Sequence, residues 1–221
     1  LAQKTFNPRL GVEGGLSILG TTGVIRPMSE DALKETVRLE LRTHRAKGRG
    51  ALALTFGNQG EEALLRAFPG IPAAQMSNFV GAALDEAARL GFRRLLIAGH
   101  PGKLVKVSAG VMQTHNRYAD ARREAVIAAL ARKGAPQSLV ERVYNCPTTD
   151  AMAEAVRSAG FEAVWDALAD AAATSCEARV RGAIEIDAAF LDGSDILGVS
   201  ERIRQDENRW RKGSAHGTDG N

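Results

Sequence analysis

The residues of this 221-residue chain best suited to chemistry fall in four short polar turns: Gly20-Thr21-Thr22-Gly23, Gly57-Asn58, Ser77-Asn78 and Gly99-His100-Pro101-Gly102-Lys103. Each combines small residues that admit close backbone approach with side chains that direct hydrogen bonds. His100 and, further along, His115 can exchange a proton near neutrality. Lys103 and Lys106 lie three apart and share one face of an expected helix, with Arg117 shortly downstream, so the segment carries a compact cationic patch. The plainer alternative is a set of helix caps, tight turns and a solvated helix face. Against it, the intervening Leu104, Val105 and Val107 make the lysine segment largely apolar, which puts its cations on a wall between core and cleft. Other chemistries find no support. The run from Gly99 to Leu104 lacks the length and the hydroxyl residue of a phosphate loop, and no GxGxxG follows a strand. No Ser/His/Asp geometry can be inferred, and the four histidines lack metal-ligand spacing.

Those turns need elements to hold them. Short apolar runs alternate with longer amphipathic stretches, the pattern of parallel strands joined by crossover helices. Strands are expected at 16–19, 51–56, 73–76 and 95–98. The helix that follows the first spans 29–46, with Ser29 as N-cap and Glu30 and Asp31 at the positive end of its dipole. A short helix at 61–67 follows the second strand. A helix capped by Ser77 and closed by Gly91 follows the third, and one at 103–112 follows the fourth. Ligands of an open parallel sheet sit beyond the carboxyl ends of its strands, so all four turns are expected at one rim. Further helices are expected at 117–132, 136–144, 149–159 and 161–179, then a last strand at 183–190 on the sheet edge. The expected fold is α/β, an open, mostly parallel sheet flanked by helices, with a helix-rich second half and a late edge strand.

Composition sets the limits. With 44% hydrophobic and 25% charged residues, 23 Gly and 7 Pro, the chain has the make-up of a folded α/β protein and not of a disordered or collagen-like one. Its 29 Lys and Arg nearly balance 26 Asp and Glu, and the basic residues are spread without aromatic interleaving, so nucleic acid is not an expected partner. No apolar run approaches a membrane span and no secretory signal opens the chain, so no membrane partner and a cytoplasmic location are expected. Cys146 and Cys176, with no CxxC or Cys/His spacing, read as buried reduced thiols. The chain begins at Leu1 and runs at once into a Gly-rich stretch, as a piece of something longer would. Residues 1–15 read as a remnant or linker, 16–200 as the α/β domain, and 201–221 as a polar tail that frays into disorder.

Several blocks together carry a family resemblance: Asn7-Pro8-Arg9-Leu10-Gly11, the stretch from Gly14 through Ile18-Leu19-Gly20-Thr21-Thr22-Gly23 to Arg26-Pro27-Met28-Ser29, Ser77-Asn78-Phe79-Val80-Gly81, and Gly99-His100-Pro101-Gly102-Lys103-Leu104-Val105-Lys106-Val107 followed by Thr114-His115 and Ala119-Asp120-Ala121-Arg122. Over about 6–192 the chain closely resembles the CbiD family of cobalt-precorrin-5B methyltransferases. The resemblance implies transfer of a methyl group from S-adenosylmethionine to carbon 1 of cobalt-precorrin-5B in anaerobic cobalamin biosynthesis. It implies S-adenosylmethionine as cofactor, an anionic cobalt-tetrapyrrole as partner, and no protein-bound metal. Cofactor contacts are then expected from Gly20, Thr21, Thr22, Gly23, Gly57, Asn58, Ser77 and Asn78. Substrate contacts are expected from Arg9, Arg26, Lys106 and Arg117, and catalytic roles from His100, Lys103 and His115. Family members carry a Gly-rich region before the Asn7-Pro8-Arg9 motif, so the chain resembles the second half, active or not by itself. Two other readings stay open: a non-catalytic module that escorts a corrinoid intermediate, and a nucleotide-dependent enzyme of the doubly wound class. Homo-oligomerisation is also left open.

Overall fold

A computed structural model describes residues 29–193 and 195–210 of the chain. The expected strand at 16–19, the polar turn at 20–23, Arg9 and Arg26 therefore lie outside the described residues, as does 211–221. The element order is α1 (Glu30–Ala46), β1 (Ala51–Thr55), α2 (Asn58–Ala67), β2 (Ala73–Gln75), α3 (Val80–Arg89), β3 (Arg94–Gly99), α4 (Pro101–Ser108), α5 (Arg122–Arg132), α6 (Gln137–Tyr144), α7 (Thr149–Ser158), α8 (Ala163–Arg179), β4 (Glu185–Asp192), β5 (Asp195–Val199) and α9 (Glu201–Gln205). The strands form one sheet in the order β2-β1-β3-β4-β5. The first four are parallel, while β5 returns antiparallel to β4.

The sheet is buried on both faces, which is why β1 and β3 read as unbroken apolar runs. On one face Leu52, Leu54, Leu95, Ile97, Ile186 and Phe190 pack against α1, α3 and the helices from α4 to α8. On the other, Ala51, Ala53, Leu96, Ala98, Ala189 and Leu191 meet Leu64 and Phe68 of α2 and its flank, with Ile203 and Trp210. Small residues mark close approaches. A Cβ at Gly198 of β5 would stand 2.5 Å from the Trp165 carbonyl carbon of α8, and one at Gly99 would stand 2.5 Å from Phe56 Cδ2. Both cysteines are free and buried, and burial together with Glu177 pushes the Cys176 thiol up to about 12, so it is no nucleophile.

Several local expectations are met. Ser29 caps α1 by accepting from the Ala32 N–H at 3.2 Å, and Gly91, at φ 72°, closes α3 while the Phe92 N–H returns to the Ala87 carbonyl at 3.1 Å. Others are corrected. Ser77 does not cap α3: it sits at φ 52°, in a left-handed turn that buries Met76 and Phe79, and Phe79 occupies the cap position without a side-chain bond. The strand expected at the edge is interior, because β5, a five-residue run not read as a strand in the sequence, returns antiparallel and covers it. The helix expected from 103 begins at Pro101, and that expected from 117 begins at Arg122, since Lys106 ties the intervening loop down. The stretch 201–210, read as a fraying helix, is packed. Ile203 and Trp210 are buried, and the Trp210 indole N–H and the Arg209 guanidinium both donate to the fully buried Asp187 carboxylate of β4. A single tryptophan and a charge partner anchor a segment that composition alone reads as too polar to pack.

Candidate active site

The strand order fixes where a ligand can sit. The connection leaving β1 runs to β2 on one side and that leaving β3 runs toward β4 on the other, so a crevice opens between the carboxyl ends of β1 and β3. A cleft of about 420 Å³ lies there, lined by Phe56, Gly57, Asn58, Gln59, Gly60, His100, Gly102 and Lys103. Two of the four turns singled out in the sequence thus meet in one cleft.

Gly57 makes the first wall. Its φ of 156° and ψ of −173° belong to a region open almost only to glycine, and as N-cap of α2 it offers no side-chain bond, which leaves the first-turn amides of α2 to the cleft. Asn58 is exposed in that turn. Its Oδ1 accepts from Gln75 Nε2 at 2.6 Å, and Gln75, nearly buried at the end of β2, also donates to Glu61 at 2.9 Å. The Phe56 ring forms the floor, packed over Gly99, and the Lys103 ammonium stands 5.7 Å from its centroid. Partial burial, reinforced by Lys106, holds the Lys103 ammonium below the usual lysine range.

His100 is the N-cap of α4. Its Nδ1 accepts from the Gly102 N–H at 3.2 Å, and its Nε2 lies 3.1 Å from Asp150 Oδ1 and 3.9 Å from Asp192 Oδ1. Pro101 at the first helical position has no N–H to satisfy. Gly102 leaves room for the ring, since a Cβ there would come within 3.3 Å of Nδ1 and 3.4 Å of Thr149 Oγ1.

The other expected site residues lie elsewhere. Lys106 is fully buried, and its ammonium donates to the Thr114 and Ala119 carbonyls, each at 3.1 Å, and to Asn116 Oδ1. Burial holds it below the usual lysine range, Asp120 opposing and Arg122 adding to the shift. This is the placement of a strut for the 109–121 loop, and it keeps Lys106 out of the cleft lining. Asn78 Oδ1 accepts from the Thr114 hydroxyl at 3.1 Å, so the turn after β2 is stapled to the same loop and does not line the cleft between β1 and β3. His115 and Arg117 are exposed in that loop. His115 Nδ1 accepts from the Arg117 N–H, and the Arg117 guanidinium is paired with Glu30 and lies 4.8 Å from the Tyr118 centroid. A second cleft, of about 550 Å³, opens beside them between α1 and α3, with Arg38, Arg89 and Arg179 each paired to an acid. Sequence reasoning missed Asp150 and Asp192. The strand-end rule, had the end of β4 been known, would have selected Asp192, whereas Asp150 comes from a helix start with no strand before it.

The family description "CbiD, C-terminal domain" matches residues 113–201 and the description "CbiD" matches residues 1–27. Among curated proteins, the chain is 49% identical over 171 residues to a cobalt-precorrin-5B C(1)-methyltransferase of Edwardsiella ictaluri and 47% identical over 171 residues to that of Citrobacter koseri. Each alignment covers 76% of this chain and 45% of the relative. The protein of the same name from Photorhabdus laumondii is 43% identical over 208 residues, 91% of this chain and 55% of the relative. The chain spans about half the length of the curated relatives it matches. No solved structure matches it significantly. Among the described residues, no helix is long and apolar enough to cross a membrane.

Proposed function

This chain belongs to the CbiD family, and on that footing we propose that it supplies the donor-binding sheet of an S-adenosylmethionine-dependent methyltransferase that methylates carbon 1 of cobalt-precorrin-5B in anaerobic cobalamin biosynthesis. The carrying observation is the convergence of Gly57–Gly60 with His100 and Lys103 at the point where the strand order reverses. The donor fits what the cleft presents. Its carboxylate suits the uncapped first turn of α2, where the helix dipole and free amides favour an anion, and its apolar part suits the Phe56 floor. When bound, S-adenosylmethionine supplies an electrophilic methyl group.

The chain's own residues then orient and exclude. Asn58, held by Gln75, fixes the α2 turn, and Gly57 lets the backbone approach closely. Lys103, at the rim, is suited to a carboxylate of the acidic tetrapyrrole. Asn78 acts through the loop it staples with Thr114, and Ser77 holds the left-handed turn that precedes it. Aligning the donor with the nucleophilic carbon is the larger part of such catalysis, because methyl displacement needs little covalent help. Thr21, Thr22, Gly20, Gly23, Arg9 and Arg26, outside the described residues, keep the roles that family membership proposes for them.

Calorimetry with S-adenosylhomocysteine tests the reading: the chain is expected to bind it, and Asn58→Ala to weaken binding about fivefold. Heat from a nicotinamide nucleotide and none from S-adenosylhomocysteine would refute it. Unchanged tetrapyrrole mass after incubation with donor, despite corrinoid binding, would favour the escort reading instead.

A further inference from the structure

We infer that His100 is not the acid–base group of this rim but a positioning residue, locked with its proton on Nε2, that holds the Asp150 carboxylate beside the cleft. Neither Asp150 nor Asp192 belongs to any role assigned above. The geometry assigns both ring nitrogens. The Gly102 N–H points at Nδ1 at 3.2 Å, so Nδ1 must offer a lone pair, and the ring proton is left on Nε2. There it faces Asp150 Oδ1 at 3.1 Å and Asp192 Oδ1 at 3.9 Å, both acceptors. A ring with its proton on Nδ1 would set two donors against each other at the helix start and two lone-pair systems against each other at Nε2.

The local sequence enforces this arrangement. Pro101 removes the first amide of α4 that could compete for the ring, and Gly102 supplies both the donor and the space beside it. Asp150 comes from the first turn of α7 and Asp192 from the end of β4, so the imidazole, itself in the cleft lining with Lys103 of the same helix start, is the point where these two elements meet α4. With Nδ1 capping a helix and Nε2 already protonated, His100 has no free lone pair with which to accept a proton. The group at this corner able to accept one is the Asp150 carboxylate, more exposed than its imidazole donor.

The inference rests on the proposed cleft as the working site, yet its test needs no turnover and no donor. The full chain is labelled with 15N in its imidazoles and measured at mildly alkaline pH, with His100 assigned by the loss of its signals in His100→Asn. The expected spectrum shows a single tautomer, Nδ1 unprotonated and Nε2 protonated, with a downfield Nε2–H signal that moves upfield in Asp150→Asn. An Nδ1–H tautomer, a rapidly averaging mixture, or a signal indifferent to Asp150→Asn would overturn the inference. His100→Asn guards against a purely structural explanation, because asparagine is itself a favoured N-cap. Its melting temperature is expected to stay within a few degrees of the parent while the Asp150 carboxyl carbon shifts on losing its donor. An unmoved Asp150 signal in that folded variant would refute the positioning role, whether or not S-adenosylhomocysteine binds.

Discussion

Lys103 and Lys106 sit one helical turn apart and look alike in the sequence, but the structure gives them opposite tasks, and replacing each by methionine separates them. Lys106 carries the larger load. Its buried ammonium makes three hydrogen bonds, and removing it orphans three oxygens. Charge-assisted hydrogen bonds contribute about 1.5–3 kcal/mol each, but relief from burying the ammonium returns a good part of that sum. Asn116 is exposed and Ala119 half-buried, so their oxygens can turn to water. Thr114 is 2% exposed, and its carbonyl cannot. A net loss of about 2–3 kcal/mol remains, which for a domain of this size lowers the melting temperature by roughly 5–10 °C. Among the described residues, Lys103 has a cation–π contact with Phe56, worth about 0.5–1 kcal/mol near the surface, and no ion pair. Lys103→Met is therefore expected to melt within roughly 3 °C of the parent while losing affinity for a polycarboxylate tetrapyrrole. Calorimetric melting checks the first pair of values, and hydrogen exchange over 112–121 should rise in Lys106→Met alone. Equal melting shifts in the two variants, or unchanged exchange in the loop, would refute this division of labour.

Two further perturbations probe the frame. Arg89, and then Arg42, hold the Glu86 carboxyl down from 4.5 to about 2. A lowered carboxylate stabilises the fold above its unfolded value and loses that contribution as pH falls from 4.5 towards 2, so Glu86→Gln should cost about 1–2 kcal/mol at neutrality, allowing for the exposed guanidinium groups, and nothing in strong acid. Urea unfolding across that range checks it, and a constant difference between the proteins would count against it. Gly198→Ala drives a Cβ to within 2.5 Å of the Trp165 backbone, which cannot rotate away, and should destabilise by about 1–3 kcal/mol in thermal melts. A variant that melts with the parent would mean that β5 does not lie against α8 as described.

What the sequence made legible follows from how local each signal is. The apolar runs of β1 and β3, the Ser29 cap and the Gly91 closure depend on a few neighbouring residues, and all are where periodicity and capping put them. The strand-end rule likewise picked Gly57, Asn58, His100 and Lys103 before any strand order was known. Long-range pairings were not legible. Nothing near Lys106 in sequence announces that a loop 8–13 residues downstream will fold back over its ammonium, and a lysine beside valines reads equally well as a cleft wall. Asp150 meets His100 only because α7 packs against α4, a contact between segments about fifty residues apart. The burial of Trp210 depends on Asp187, a charged residue in a strand that pattern alone would have left unpaired.

The cleft itself is a consequence of the path the chain takes. After β1 the chain crosses to the face where Ala63 and Leu64 of α2 pack. After β3 it crosses to the opposite face, where Leu104, Val105 and Val107 of α4 pack. Two neighbouring parallel strands thus send their helices away from each other, and among the described residues no element fills the space above their carboxyl ends. The start of each helix nevertheless points into that space. One start, at Gly57, is left bare of side chain, so its dipole faces an incoming ligand; the other, at His100, is capped by an imidazole that spends its Nδ1 lone pair on the helix and turns its remaining N–H to a carboxylate. The same topological step therefore builds a corner receptive to anions and, adjoining it, a corner where a carboxylate is held ready. Ser77 and Asn78, just after β2, stand outside this divergence because β2 is the edge strand, and the bond of Asn78 to Thr114 serves the neighbouring loop instead. The alignment of a charged donor beside an acidic substrate proposed above therefore falls where, among the described residues, one bare and one imidazole-capped helix start face the same cleft.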